Sequence, residues 1–197
     1  MISLAPLVGL LIVAAVTPGP NNVMVMTAAM QGGWTAAMKT LFAIVSGSLL
    51  LFFLIRSGLD AVSLNIPLFA SAIAIAGAVY LAWLGLSLMR LAALKSQRSG
   101  EIHSMSAMGV AGFQLINPKG WVLMSVFVAG SAETSAVLLI AILVVVFVSC
   151  LTLWALAGVA LSSFYANSTI RFWVDRAMGA FLLIFSVLLA AQHTHLG

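Results

Sequence analysis

Two short clusters of proline, glycine and asparagine interrupt otherwise apolar runs of this chain. The first is Thr17-Pro18-Gly19-Pro20-Asn21-Asn22 and the second is Asn117-Pro118-Lys119-Gly120. Proline withholds a backbone N–H and clashes with the preceding turn, so it frees carbonyls that a helix would otherwise satisfy. Gly19 and Gly120 permit backbone conformations that other residues resist. Free N–H and C=O groups amid apolar side chains are costly, and such backbone persists where it meets other protein or a water-filled cavity. There, half-helix N-termini can face a carboxylate and freed carbonyls can face an ammonium, which together suit a zwitterion. A structural kink is the plainer reading of either cluster alone. Two clusters in corresponding places, each with flanking asparagine, favour a site.

Lys119 lies near the middle of its apolar run by residue count. A lysine at the centre of a membrane helix costs roughly 3 kcal/mol on insertion scales. That cost is tolerable where the ammonium faces a cavity, a carbonyl cluster or a substrate carboxylate; the alternative is an offset helix from which Lys119 snorkels to one surface. Asn21, Asn22 and Asn117 can bind a ligand or cap freed backbone, and their spacing does not separate the two.

The elements that must position these residues are dictated by composition. Of 197 residues, 63% are hydrophobic and 6% charged, with a mean hydropathy of +1.22. Soluble domains carry about a quarter charged residues, so lipid must be the solvent for most of this surface. A span needs roughly 20 apolar residues, and six spans with short connections nearly exhaust the chain. They run from about Ile2 to Gln31, between Lys39 and Arg56, and from about Pro67 to Met89, then from about Ala107 to Ser131, Ala136 to Leu161 and Ala177 to Ala191. The expected fold is an all-α integral membrane protein, one transporter domain with halves 1–92 and 105–197 joined by a basic linker, 90–106. Pro18 and Pro118 stand 100 positions apart with three segments to each half. The halves then enter the membrane in opposite directions, a three-plus-three inverted repeat with broken first and fourth helices. Ala70, Ala74, Ala78 and Ala82 form a small-residue stripe on the third segment, suited to close packing within the bundle or to a homo-oligomer.

Charge fixes the orientation. Lys39, Arg90, Lys95, Arg98, Arg171 and Arg176 fall on one side and only Arg56 on the other. The positive-inside rule makes loops 31–39, 90–106 and 162–176 cytoplasmic, with Trp34 and Trp173 as interfacial anchors. Cations scattered at helix ends set topology and do not point to nucleic acid. Met1 to Ala15 has no positive residue before its apolar stretch and reads as the start of a retained helix, not a signal peptide. The single cysteine, Cys150, excludes an intramolecular disulfide. No predicted span holds a histidine to serve the serines of Ser46-Gly47-Ser48 as a base, and H-E-x-x-H is absent. An enzyme is therefore disfavoured, and no metal or cofactor is expected.

These residues resemble the LysE-type translocator family, which exports amino acids from bacteria. The resemblance rests on the Pro18-Gly19-Pro20-Asn21 element, a second helix with glycine at Gly47, Asn117-Pro118-Lys119 after a basic linker, and the six-segment layout. It implies efflux of amino acids or close derivatives across the inner membrane, driven by the proton-motive force. Thr17, Pro18, Gly19, Pro20, Asn21, Asn22, Gly47, Asn117, Pro118 and Lys119 would line or shape the path. Asp60, Glu101, Glu133 and Asp175 are expected in loops, so no acid is available to balance a cationic side chain within the membrane. The expected substrate is a neutral amino acid or related metabolite. A passive channel and a helper subunit of a larger complex are the remaining alternatives.

Overall fold

The computed structural model describes residues 4–59, 67–93, 106–131, 133–165 and 167–194, and among them every regular element is helical. Helix α1 spans Leu4–Val16, α2 Pro20–Leu54 with a π-helical continuation Ile55–Leu59, and α3 Pro67–Ala93. Helix α4 spans Ala107–Ile116, α5 Pro118–Gly130, α6 Ala136–Tyr165 and α7 Ser168–Thr194.

Apolar side chains cover the surface as well as the core, unlike in a water-soluble protein. Phe42, Val145 and Val187 are 63%, 64% and 66% exposed, whereas Asn22, Ser48, Gln114, Asn117 and Asp175 are buried. In water such a surface would be an extended apolar patch of the kind that marks a membrane or partner contact. Among the described residues, Pro20–Gly58 and Ala136–Tyr165 are long and apolar enough to cross a membrane, and Leu4–Val16, Ile75–Arg90 and Ala107–Ile116 are shorter apolar helices.

The expected loop 31–39 is not a loop. Helix continues through these residues and is broken only at Gly33, whose φ of 69° and ψ of −163° are open to glycine alone. A straight helix rising about 1.5 Å per residue would hold Asn22 and Ser48 roughly 40 Å apart. Both line the same small cavity, so the chain doubles back at Gly33. Lys39 consequently sits inside the second arm of α2 instead of at its end. Gly33→Ala should cost about 1–3 kcal/mol of stability from backbone strain alone, since a Cβ there would meet nothing within 4 Å. Thermal melting of the detergent-solubilised protein would check this, and a variant that melts with the native protein would refute it.

The expected loop 162–176 also contracts. Helix α6 continues to Tyr165 and α7 starts at Ser168, because the polar residues of this stretch find partners. Asn167 Oδ1 accepts the Thr169 N–H at 2.9 Å and caps α7. Asp175, expected in a loop, is buried on α7 at 3% exposure. Glu133 is exposed in the connection between α5 and α6, as expected. Asp60 and Glu101 lie outside the described residues, as does most of the 90–106 linker.

Helices α3 and α7 cross where Gly85 and Gly179 meet. A Cβ on either would stand 2.7 or 2.6 Å from the other's carbonyl oxygen, and Ser186 Oγ donates to Ala78 O at 2.8 Å nearby. Of the alanine stripe, Ala78 is buried and the side chains of Ala70 and Ala74 lie outside the described residues. The closest approach is made by the glycines, which the four-residue alanine spacing did not single out.

Candidate functional site

The two interruptions meet in space. Helix α1 ends at Val16 and α2 starts at Pro20; α4 ends at Ile116 and α5 starts at Pro118. Each proline occupies the first turn of the second half-helix, where its missing N–H costs nothing. The structural counterpart of Pro118 is thus Pro20 and not Pro18, and the first break is shorter than the Thr17–Asn22 cluster suggests. Pro18 and Thr17 are exposed in the gap between α1 and α2. Asn21 and Asn22 belong to the first turn of α2.

The freed carbonyls already have partners. Asn22 Nδ2 donates to Ala15 O and Thr17 O, both at 3.0 Å. Thr17 Oγ1 donates to Val13 O at 2.6 Å, and Trp121 Nε1 donates to Leu115 O at 2.8 Å. The N-terminal ends of α2 and α5 are different. Their first intrahelical bonds are Val23 N–H to Gly19 O and Trp121 N–H to Asn117 O, and neither end has a side-chain cap. The amides of Asn21, Asn22, Lys119 and Gly120 therefore have no acceptor within their own helices. The expectation that freed carbonyls would face an ammonium is weakened by this geometry. What is left unsatisfied is donors.

These donors surround a cavity of about 50 Å³ walled by Gly19, Pro20, Asn21, Asn22, Asn117 and Lys119 together with Ser48 and Gln114. The Lys119 ammonium lies over Gly19, where a Cβ would stand 3.3 Å from Nζ. Lys119 makes no ion pair or side-chain hydrogen bond among the described residues, and neither do the buried side chains of Ser48 and Asn117. Two helix N-termini and an ammonium give the cavity a positive bias. Among the described residues, none of the lining is acidic.

Gln114 was missed by the sequence reading and is central here. Its amide and that of Asn21 exchange two hydrogen bonds, Asn21 Nδ2 to Gln114 Oε1 and Gln114 Nε2 to Asn21 Oδ1, each at 3.0 Å. This pair ties one break to the other across 93 residues of sequence. A lone glutamine inside the apolar run 107–116 was the available signal. Gly47 and Pro118 do not line the cavity. Gly47 lets α2 touch α4, since a Cβ there would collide with Ala111 O, and this seats Gln114 beside Asn21. Removing either amide, in Gln114→Ala or Asn21→Ala, should cost about 1 kcal/mol, and the double variant should cost little more than either single one. Melting temperatures of the three variants would check this, and strictly additive losses would contradict the pairing.

A second, broader cavity of about 810 Å³ opens beyond Val23 and Met24. It is walled by both arms of α2 around Gln31 and Lys39, by α3 up to Arg90, and by the start of α4. Val23, Met24 and Val110 are buried and line the broad cavity; Val23 follows Asn22 of the small one in sequence, and Val110 stands one helical turn from its Gln114. The cations expected on the cytoplasmic side, Lys39 and Arg90, stand in the broad cavity's wall, and among the described residues that wall contains no acid.

A family model described as LysE type translocator matches residues 12–193 of the chain. No curated protein and no solved structure matches it.

Proposed function

We propose that this chain, which belongs to the LysE type translocator family of membrane transporters, exports neutral amino acids or closely related metabolites. The observation that carries the reading is the small cavity where two uncapped half-helix N-termini converge with Lys119, which has no partner among the described residues. An ammonium and a ring of backbone donors suit a carboxylate. The Ser48 hydroxyl and Asn117 side-chain amide, without partners among the described residues, are acceptors within reach for the substrate's own ammonium. With no acid among the described residues of either wall, a second positive charge on the substrate would meet Lys119, Lys39 and Arg90. A neutral side chain is therefore the better fit.

On this reading the broad cavity is the cytoplasmic approach, large enough by volume for any amino acid, since small-molecule pockets measure about 300–1,000 Å³. The Asn21–Gln114 pair with Met24 and Val110 is the barrier that a substrate crosses to reach the smaller space. The proposed layout is six spans in a three-plus-three inverted repeat in the bacterial inner membrane; the matched roles of Pro20 and Pro118 and the charge asymmetry of the connections support it. Proton-motive force is the proposed drive. A closed barrier between two cavities favours a carrier over a passive channel, because a channel conducts through one continuous path.

The test is extracellular metabolite profiling of bacteria overproducing the protein and fed dipeptides to raise internal amino-acid pools. One or two neutral amino acids should accumulate outside, and lose that accumulation in a strain carrying Pro118→Ala with Lys119→Ala at equal membrane level. An unchanged profile with properly inserted protein would defeat the reading, and efficient arginine export would defeat its claim to neutral cargo. Saturation and uphill movement in proteoliposomes would separate a carrier from a channel, and activity of the pure protein there would exclude a helper role.

A further inference from the structure

A chain of hydrogen bonds on the far side of the broad cavity takes no part in the proposed substrate site. Asp175 on α7 is 3% exposed. Tyr165, the last residue of α6, donates its hydroxyl to Asp175 Oδ1 at 2.6 Å. The same hydroxyl accepts from Gln31 Nε2 on α2 at 3.0 Å. Gln31 is half-buried and lines the broad cavity. One interior acid is thus joined to that space through two side chains from two other helices. Close by, Thr27 Oγ1 meets Met178 Sδ at 3.0 Å and holds α2 against α7.

The charged surroundings of this carboxyl are sparse. On α7 itself, Arg171 stands one turn before it and acts on it by charge, but forms no ion pair with it. Arg176 is turned onto the Phe172 ring at 5.1 Å. From α6 the facing group is Tyr165, and from α2 it is the neutral Gln31. Helix α3 packs along α7, yet Tyr80 is directed at α4, stacking on Phe113 and donating to Gly109 O at 3.3 Å. Arg90 and Lys39 line the broad cavity and make no contact with Asp175.

A tie between helices does not require an acid, since an amide would serve, and burying a carboxylate without a close counter-ion is costly. An ionisable group retained inside such a bundle is by default a functional one, and proton relays in transporters are built from acids. We propose that Asp175 is the proton-carrying residue of this transporter, loaded and unloaded from the broad cavity by way of the Tyr165 hydroxyl, which Gln31 orients. The inference rests on the reading of the chain as a proton-driven exporter. In loading, a proton from cavity water ends on an Asp175 carboxylate oxygen, and the carboxylate becomes a neutral acid with the Tyr165 hydroxyl left unchanged. In unloading, the proton returns to water and the negative charge is restored. A hydroxyl bound to a neutral acid is held more weakly than one bound to a carboxylate. Loading therefore loosens the junction of α2, α6 and α7 at Gln31, two residues from the turn at Gly33, and unloading tightens it. Proton occupancy is in this way coupled to the arm of α2 that forms the cavity wall.

The test uses the full chain reconstituted in vesicles and has one readout that needs no cargo. Infrared difference spectra between acid and alkaline pH should contain, beside the bands of the other carboxyls, a protonated-carboxyl component that is lost in Asp175→Asn and whose titration midpoint shifts in Tyr165→Phe. In the same vesicles, Asp175→Asn should lose pH-gradient-driven accumulation of radiolabelled alanine and leucine by about tenfold or more, while exchange of the same amino acids across the membrane persists. A difference spectrum unchanged in Asp175→Asn overturns the proposal, as does undiminished gradient-driven uptake. Equal loss of exchange and of gradient-driven uptake would make Asp175 a structural tie and also overturn it. If Asp175→Asn does not yield folded protein, Tyr165→Phe decides, an unmoved midpoint counting against the proposal. Should the native protein move no amino acid, the export reading fails while the infrared result still settles whether Asp175 takes up the proton.

Discussion

Lys119→Ala is expected to lower exchange of a neutral amino acid in proteoliposomes by about a hundredfold. Losing a hydrogen bond to a charged group costs about 1.5–3 kcal/mol, and truncating one partner of a desolvated charge pair costs about 2–5 kcal/mol. The ammonium has no protein acceptor among the described residues to which its charge is already committed, so its attraction is available to a bound carboxylate. The loss should fall mainly on apparent affinity, because the two half-helix N-termini still aim their amides into the cavity. Lys119→Arg should retain part of the activity, since it keeps the charge on a bulkier fork. Gly19→Ala supplies the contrast. Its φ of −162° is extended backbone that alanine also adopts, and the added Cβ would press only on the mobile end of Lys119, 3.3 Å away. A several-fold effect at most is expected there. Full exchange activity in Lys119→Ala would remove the carboxylate site from this cavity.

The sequence carried the breaks and not the way their polar groups are shared out. Proline and asparagine inside apolar runs are legible because the cost of freed backbone in an apolar medium is local and large, and Gly19, Asn21, Asn22, Asn117 and Lys119 do converge. Which proline matched which was not legible, since Pro18 and Pro20 differ only in their position relative to the new helix start. The division into satisfied carbonyls and unsatisfied donors was hidden for another reason. It depends on where the Asn22 amide and the Trp121 indole reach, and those contacts span several residues around a turn. The reversal at Gly33 was read as a nine-residue loop because glycines, Trp34 and Lys39 together resemble a connection. A single glycine in a conformation closed to other residues achieves the turn without one. Asp175 was assigned to a loop by its neighbours Arg171 and Arg176, yet a helical period places it inward while Trp173 stands 64% exposed.

Gly77→Ala should damage both stability and transport, in contrast to the same change at Gly112. Helix α4 is held between two glycines on neighbouring helices. A Cβ on Gly47 would collide with Ala111 O, and one on Gly77 would collide with Ile116 O while touching Pro118 Cδ at 3.4 Å. The obstacles at Gly77 are a carbonyl and a proline ring, neither of which can swing aside as a flexible side chain would. Either α3 must retreat or the break at Asn117 must shift, and the shift would carry Asn117 and Lys119 away from the cavity. Overpacking of this kind costs about 1–3 kcal/mol, and a displacement of about 1 Å at a site can cost about a hundredfold in rate. Gly112 lies on α4 with nothing within 4 Å of its would-be Cβ. Alanine there should leave exchange intact and raise stability by about 0.5–1 kcal/mol, the ordinary gain of replacing a helical glycine. Melting of the two purified variants alongside amino-acid exchange would read out both effects. If Gly77→Ala melted and exchanged like the native protein, α3 would have room to yield, and the close seating of the break against it would not be what holds the cavity in shape.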